Sequence, residues 1–273
     1  MNHHRPVWAP DDVDIETPSA ARMYDYYLGG SHNFAADRRL AEEAKRAFPD
    51  TREYCTANRA FLQRAVTLLA GLGIDQFLDL GSGIPTASNV HEVAYAADPG
   101  ARTLYVDSDP VAHAHGVALL AGVPHAKFIR EDLRDPDSVL GNPAVEQFLD
   151  LRRPIAVLLF SVLPFVPDAD DPWSIVAAYR DASAPGSYLA LTHGTSDYRP
   201  AETNQLRQVY TQASHTITTR SQAEVLELMG GYELLEPGVT DAILWRPDPQ
   251  APPDPLGGDV SRYSLYAAVG RRP

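Results

Sequence analysis

Gln76-Phe77-Leu78-Asp79-Leu80-Gly81-Ser82-Gly83-Ile84-Pro85-Thr86 is a short apolar run that ends in an acid and then turns through two glycines. The run predicts a buried strand, and the turn predicts a loop into a helix. That order is the sequence form of a nucleotide site in an α/β fold. Gly81 and Gly83 permit a tight turn and let a ligand reach bare backbone. A dinucleotide fingerprint needs a third glycine, and Thr86 stands in its place. The gap points away from NAD and toward S-adenosylmethionine, which has no pyrophosphate to seat on a helix N-terminus.

Outward from this turn, β-rich runs recur at Thr103–Asp107, Lys127–Arg130, Ile155–Ser161 and Tyr188–His193, with room for a helix between each pair. Strands alternating with helices predict a parallel, doubly wound sheet. The first intervening helix carries Val90, Val93, Ala94 and Ala97 at helical spacing. Ser221-Gln222-Ala223-Glu224 is a capping box that opens a late helix, stopped near Gly230-Gly231. Two further strands are expected around Tyr232–Leu235 and Ser264–Val269. The Pro-rich stretch from Pro247 to Gly258 between them reads as a surface loop. Upstream, residues 1–20 read as an irregular lead with Pro6, Pro10 and Pro18. From Ala20 to about Ala70 the pattern is helical, ended by Gly71 and Gly73. The expected division is a helical cap or lid over residues 1–60 and a cofactor-binding domain over 61–273.

Asp107 lies one strand-helix-strand unit beyond Gly81, where an acid accepts hydrogen bonds from a ribose diol. Asp109, before Pro110, is expected to cap the next helix, and Ser108 sits between them. Asp132, at the edge of the third strand, suits an adenine amino group with Leu133 packing on the ring. The competing reading makes Asp132 a turn residue. Ser161 ends an apolar fourth strand at the edge where open α/β sheets bind ligands, and Val162-Leu163-Pro164-Phe165 would wall the pocket. The stretch from Arg22 to Phe34 is dense in aromatic and polar groups and breaks at Gly29-Gly30. It reads as a lid, or as a helix with a glycine stop. Arg59, beside Asn58, could grip a carboxylate. The expected cofactor set is therefore Asp79, Gly81, Ser82, Gly83, Asp107, Ser108, Asp132, Leu133 and Ser161, with Tyr24, Gly30 and Arg59 from the helical region. Tyr24, His32 and His193 are the candidates for a general base. His193 reads somewhat better as a buried, hydrogen-bonded histidine.

The charge balance excludes some classes of partner. With 23 Lys and Arg against 36 Asp and Glu the net charge is -13, which argues against nucleic acid. No apolar run approaches the roughly 20 residues of a membrane helix, and no signal-peptide core is seen. The single cysteine, Cys55, cannot form an internal disulfide, so a reduced, cytoplasmic setting is expected. His113 and His115 do not share a helix face, and Asp168, Asp170 and Asp171 before Pro172 read as a loop and helix start. No metal set is expected.

These residues together resemble the class I S-adenosylmethionine-dependent methyltransferases. More narrowly, the chain resembles a bacterial group of similar length known as S-adenosyl methyltransferases. The resemblance is carried by Tyr24-Asp25-Tyr26-Tyr27-Leu28-Gly29-Gly30, Asn33-Phe34, Asp37-Arg38 and Asn58-Arg59-Ala60-Phe61-Leu62. It continues through Phe77–Thr86, Tyr105–Pro110, Asp132–Pro136 and Pro185–Leu189. The chain departs from such proteins at Pro164, where they often carry His. The resemblance implies a Rossmann-like, doubly wound, seven-stranded sheet with its last strand antiparallel, and S-adenosyl-L-methionine as cofactor. The expected activity is methyl transfer to a small-molecule acceptor. The alternative is a protein that holds S-adenosylmethionine or S-adenosylhomocysteine without turnover.

Overall fold

The computed structural model describes residues 13–85 and 89–273, so Pro6, Pro10 and Thr86 lie outside the described residues. The strands are β1 Gln76–Leu80, β2 Arg102–Asp107, β3 Ala126–Arg130, β4 Ala156–Phe160, β5 Tyr188–Gly194, β6 Glu233–Leu234, β7 Thr240–Asp241 and β8 Leu265–Arg271. The helices before β1 are α1 Ala20–Tyr27, α2 Ala35–Ala47 and α3 Thr51–Gly71. Those that follow are α4 Val90–Ala97, α5 Pro110–Leu119, α6 Pro136–Gly141, α7 Pro143–Phe148, α8 Pro172–Ala182, α9 Pro200–Tyr210, α10 Gln222–Leu228 and α11 Val260–Tyr263.

The strand order is β3-β2-β1-β4-β5-β8-β6, with β7 also on β8. The first five are parallel, and β8 runs antiparallel to β5. The expected seven strands become eight for a local reason. Glu233 and Leu234 pair with Arg271 and Gly270, while Thr240 and Asp241 pair with Ala267 and Tyr266 further along the same strand. The outer edge is thus one strand's place filled by two short pieces. Pro237 and Gly238 interrupt it, and neither sustains a regular ladder.

Alternation along the strands divides the core. Phe77, Tyr105 and Leu158 pack with Phe61, Leu62 and Val66 of α3 on one face. Leu78, Leu104 and Val157 pack with Ile175 and Tyr179 of α8 on the other. Asp79 shares the face of Phe77, because side chains two apart point the same way. The buried side of α4 is Val90, His91 and Ala94, with Val93 partly covered and Ala97 exposed.

A third cluster builds the cap. Met23 and Tyr27 of α1, Leu40, Ala41 and Ala44 of α2, Cys55 of α3, Tyr210 of α9 and Ile217 pack together. The cap therefore takes a helix from the C-terminal half of the chain. α3 runs unbroken through the boundary expected at residue 60. Arg22 and Asp37 form a buried ion pair between α1 and α2 at 3.1 Å. Gly29, at φ +84, stops α1. Gly30 lies against the Asp25 carboxylate, where a Cβ would have no space. That carboxylate also accepts the His32 amide at 2.9 Å and the Asn33 side chain at 2.8 Å.

Candidate functional site

A cavity of about 520 Å³ lies between the C-terminal edge of the parallel strands and the cap. That is within the usual range for a small-molecule site. Of the residues singled out in the sequence, Asp79, Gly81, Ser82, Gly83, Asp107, Ser108, Asp132, Leu133, Ser161, Tyr24 and Arg59 all line it. Gly30, His32 and His193 are absent from the lining.

The sheet side begins at the turn after β1. Gly81 has φ +70 and Gly83 φ +65, a region that L side chains adopt at a cost. A Cβ on Gly81 would run into Val162, while the corresponding side of Gly83 meets nothing within 4 Å among the described residues. The Gly83 amide donates to Asp107 Oδ2 at 2.7 Å, and the Asp109 amide donates to Asp107 Oδ1 at 2.8 Å. The turn and the end of β2 are thus locked together through one carboxylate. Each of its oxygens keeps a further lone pair for a ligand hydroxyl. Asp109 caps α5 by accepting from the amides of Val111 and Ala112, and it also takes the hydroxyl of Ser19 from the cap.

Burial pushes Asp79 up to about 7, against the pull of Arg59 and with a further push from Asp107. Arg59 reaches it because α3 packs on the face of β1 that Asp79 shares. Burial likewise pushes Asp107 up to about 6, against the two amides that favour its charge. Two enclosed acids beside a glycine turn favour a cationic guest. The Ser82 hydroxyl is enclosed in the same wall with no hydrogen-bond partner among the described residues, as an atom awaiting a ligand would be.

Asp132 makes the local hydrogen bonds of a turn residue while lining the cavity. It accepts from the Arg134 amide at 2.9 Å and from the guanidinium at 2.6 Å, and Arg134 also reaches Asp170 at 3.2 Å. Burial works to raise its pKa, but these bonds outweigh it and the net shift is downward. Its carboxylate still borders the cavity beside Leu133.

Ser161 sits at φ +53, strained for a residue with a Cβ. Its amide donates to Thr192 Oγ1 at 2.8 Å, and its hydroxyl meets that of Tyr54 at 3.1 Å. Thr192 donates to Asn58 Oδ1 at 2.6 Å, and Asn58 donates to the Tyr24 hydroxyl at 2.9 Å. This chain of bonds ties α1 and α3 to the ends of β4 and β5. Burial raises the Tyr24 phenol well above its ordinary range, so it stays protonated and makes a poor base. Val162, Pro164 and Phe165 line the cavity, whereas Leu163 turns into the core.

His193 has the surroundings of the buried, hydrogen-bonded histidine of the other reading. It is fully enclosed, with Nδ1 at 2.9 Å from the Gly194 carbonyl and Nε2 at 2.8 Å from the Arg220 guanidinium. Burial pushes it down to about 3, so it is neutral and accepts from Arg220. Arg220 in turn donates to the carbonyls of Leu163 and Val166 and holds the segment that walls the cavity. His32 lies against His115, with ring centroids 3.3 Å apart and the ring planes tilted by 45°. Asp171 caps α8 ahead of Pro172, as a helix start should.

The cap side was mostly missed in the sequence. Phe48, Tyr54, Leu206, Tyr210, His215 and Ile217 line the cavity without belonging to a motif. Residues 211–219 cross over it, with the Ser214 amide donating to Pro18 O at 2.8 Å and the Thr218 amide to Pro164 O at 2.7 Å. His215 lies within electrostatic reach of Asp132 and Asp109, and burial lowers its pKa, aided by Arg134.

Comparison with known proteins places this arrangement. A family profile described as S-adenosyl methyltransferase matches residues 6–273. The crystal structure of a candidate methyltransferase from Thermobifida fusca YX is 41% identical, with a TM-score of 0.90 over 98% of this chain and 99% of that one. A DUF574 family protein from Streptomyces avermitilis MA-4680 is 36% identical, with a TM-score of 0.90 over 95% and 99% of the two chains. Human N-acetylserotonin methyltransferase, solved in complex with SAM, shares the fold at 14% identity, with a TM-score of 0.50 over 91% of this chain and 62% of that one. No curated protein sequence matches.

Proposed function

The chain belongs to the S-adenosyl methyltransferase family, and on that premise we propose that it methylates a small-molecule acceptor held between the sheet edge and the cap. The cofactor is S-adenosyl-L-methionine, which when bound supplies an electrophilic methyl group on a sulfonium. The observation that carries the reading is the continuity of the cavity. A polar wall of Asp79, Gly81, Ser82, Gly83 and Asp107 and an aromatic cap wall enclose the same space.

In this reading Asp107 holds the ribose hydroxyls, Leu133 covers one face of the adenine and Asp132 reaches its amino group. Asp79 and Arg59 face the ammonium and carboxylate of the methionine end. Gly81 and Gly83 keep side chains away from the ligand. The cap and the 211–219 crossing exclude water, which favours a reaction that disperses charge. Positioning the acceptor atom about 3 Å from the methyl group supplies most of the rate. Cap segment 24–34 acts as the lid.

The test is thermal unfolding with S-adenosylmethionine, S-adenosylhomocysteine and NAD. At 100 times its dissociation constant a ligand adds roughly 2.7 kcal/mol, or about 5–10 °C for a chain of this size. Either adenosyl ligand should give that shift. A larger shift with NAD would reverse the assignment. Accumulation of S-adenosylhomocysteine with an acceptor present separates turnover from binding alone.

A further inference from the structure

Tyr27 of α1 and Tyr210 of α9 meet in the cap with their hydroxyls 3.2 Å apart. Both rings are 6–7% exposed, yet both border the cavity. One bond between two hydroxyls uses one of their two hydrogens. The second hydrogen and the spare lone pairs have no other partner among the described residues, so the pair can both donate to and accept from a guest. Phe165 lies 6.0 Å from Tyr210, centroid to centroid, and Phe48 and Tyr54 line the same cavity.

The charges around this pair are already committed. Arg22 is spent on Asp37 and on the carbonyls of Asp14 and Thr17. Asp14 accepts the amides of Glu16 and Thr17. Glu42 acts electrostatically on Tyr27, but it is already held by the Tyr26 hydroxyl and by Lys45. The hydrophobic groups packed with the two tyrosines include Met23, Leu40, Ala41, Ala44, Cys55 and Ile217. A charged guest would lose its hydration here and gain no counter-ion, whereas a flat apolar one would gain ring contacts.

We propose that the cap side of the cavity binds an uncharged aromatic molecule bearing a hydroxyl, with its ring among Tyr27, Phe48, Tyr54, Phe165 and Tyr210 and its hydroxyl on the Tyr27–Tyr210 pair. The inference rests on the proposed methyl-transfer reading only in naming this molecule the acceptor class.

The probes are 1-naphthol, 1-naphthoate and 1-naphthylmethylammonium, which share a ring system and differ in charge. Each is titrated calorimetrically into the protein, free and loaded with S-adenosylhomocysteine. The expected result is saturable binding of 1-naphthol at one site, with both charged analogues at least about tenfold weaker, the size of effect an uncompensated buried charge gives. The Tyr27→Phe, Tyr210→Phe double variant should weaken 1-naphthol several-fold and leave S-adenosylhomocysteine binding unchanged, which also reports that the variant is folded. Absence of saturable 1-naphthol binding would overturn the inference. So would equal or tighter binding of a charged analogue, or no effect of the double variant. Failure of S-adenosylhomocysteine to bind would instead break the cofactor reading, while the titration of the free protein still decides this one.

Discussion

On the sheet side of the cavity, Asp79, Gly81, Gly83 and Asp107 all come from one strand-helix-strand unit, residues 79–107. On the cap side, Tyr27 and Tyr210 are 183 residues apart in the chain. The first wall is held by backbone: two left-handed glycines, one carboxylate taking two amides, and a capped helix. The second is held by side chains from α1, α2, α3, α9 and the 211–219 crossing packing on one another. A wall set by backbone geometry suits a ligand common to many enzymes. A wall set by packing can change its shape by substitution without disturbing the sheet, as an acceptor-specific surface must. The two walls should therefore fail in different ways.

The largest contrast is expected in cofactor affinity. Asp107→Ala removes the proposed pair of ribose bonds and unties the Gly83 turn. It should weaken S-adenosylhomocysteine roughly 10- to 100-fold by calorimetry. Tyr210→Phe, on the other wall, should leave that affinity unchanged. Equal losses in the two variants would show that the walls are not separate.

Next comes pH. Asp79 and Asp107 titrate near 7 and 6 in the folded protein, above their unfolded values, so the folded state holds extra protons. Their ionisation costs stability above pH 7, and the cost is relieved as pH falls through 7 and 6. His193 works the other way. Its folded pKa is about 3, so stability present above its unfolded value of 6.5 drains away as pH falls toward 3. The melting temperature of the free protein should thus fall by several degrees from pH 5 to 8, with most of the fall below pH 7. The Asp79→Asn variant should show a flatter profile. An unchanged slope in that variant would remove Asp79 from the account.

Asp109→Ala should cost about 1 kcal/mol of stability, or about 2–4 °C, through the lost α5 cap, with little change in cofactor affinity. A large affinity loss would move the ribose role from Asp107 to Asp109. The smallest effect is expected in hydrogen exchange over residues 24–34. Their amides should slow when S-adenosylhomocysteine binds, since Ser19, just before α1, already bonds to Asp109 on the cofactor side. Protection confined to the glycine turn and β2 would make this segment a fixed helix pair.

The difference between the walls also decides what could be read in advance. Gln76–Thr86 was legible because strand, acid and glycine turn are consecutive, and the spacing to Asp107 is one βαβ unit. The Asp109 cap and the Ser221–Glu224 capping box were legible for the same reason, and the structure has both. α9 was not, because its part in the cap depends on α2 lying beside it. Nothing local distinguishes Tyr210 from any other half-apolar helical residue. His193 looked like a site residue at a strand end. The guanidinium that claims it comes from Arg220, beyond a loop and a helix. The split edge strand follows from Pro237 and Gly238, but only the register on β8 makes two pieces share one place.

The cap's dependence on α9 has a consequence for how the protein is made. α1 and α2 leave the ribosome early with their apolar faces formed and the Tyr210 side of their packing still unsynthesised. At about 5–20 residues per second the 183 residues between Tyr27 and Tyr210 take roughly 10–40 s to appear. Through that interval Met23, Tyr27 and Leu40 wait without their full cover. Closure then joins segments across most of the chain, a slow step in any fold. The sheet, whose parallel strands are complete by Gly194, can assemble before the chamber above it acquires its far wall.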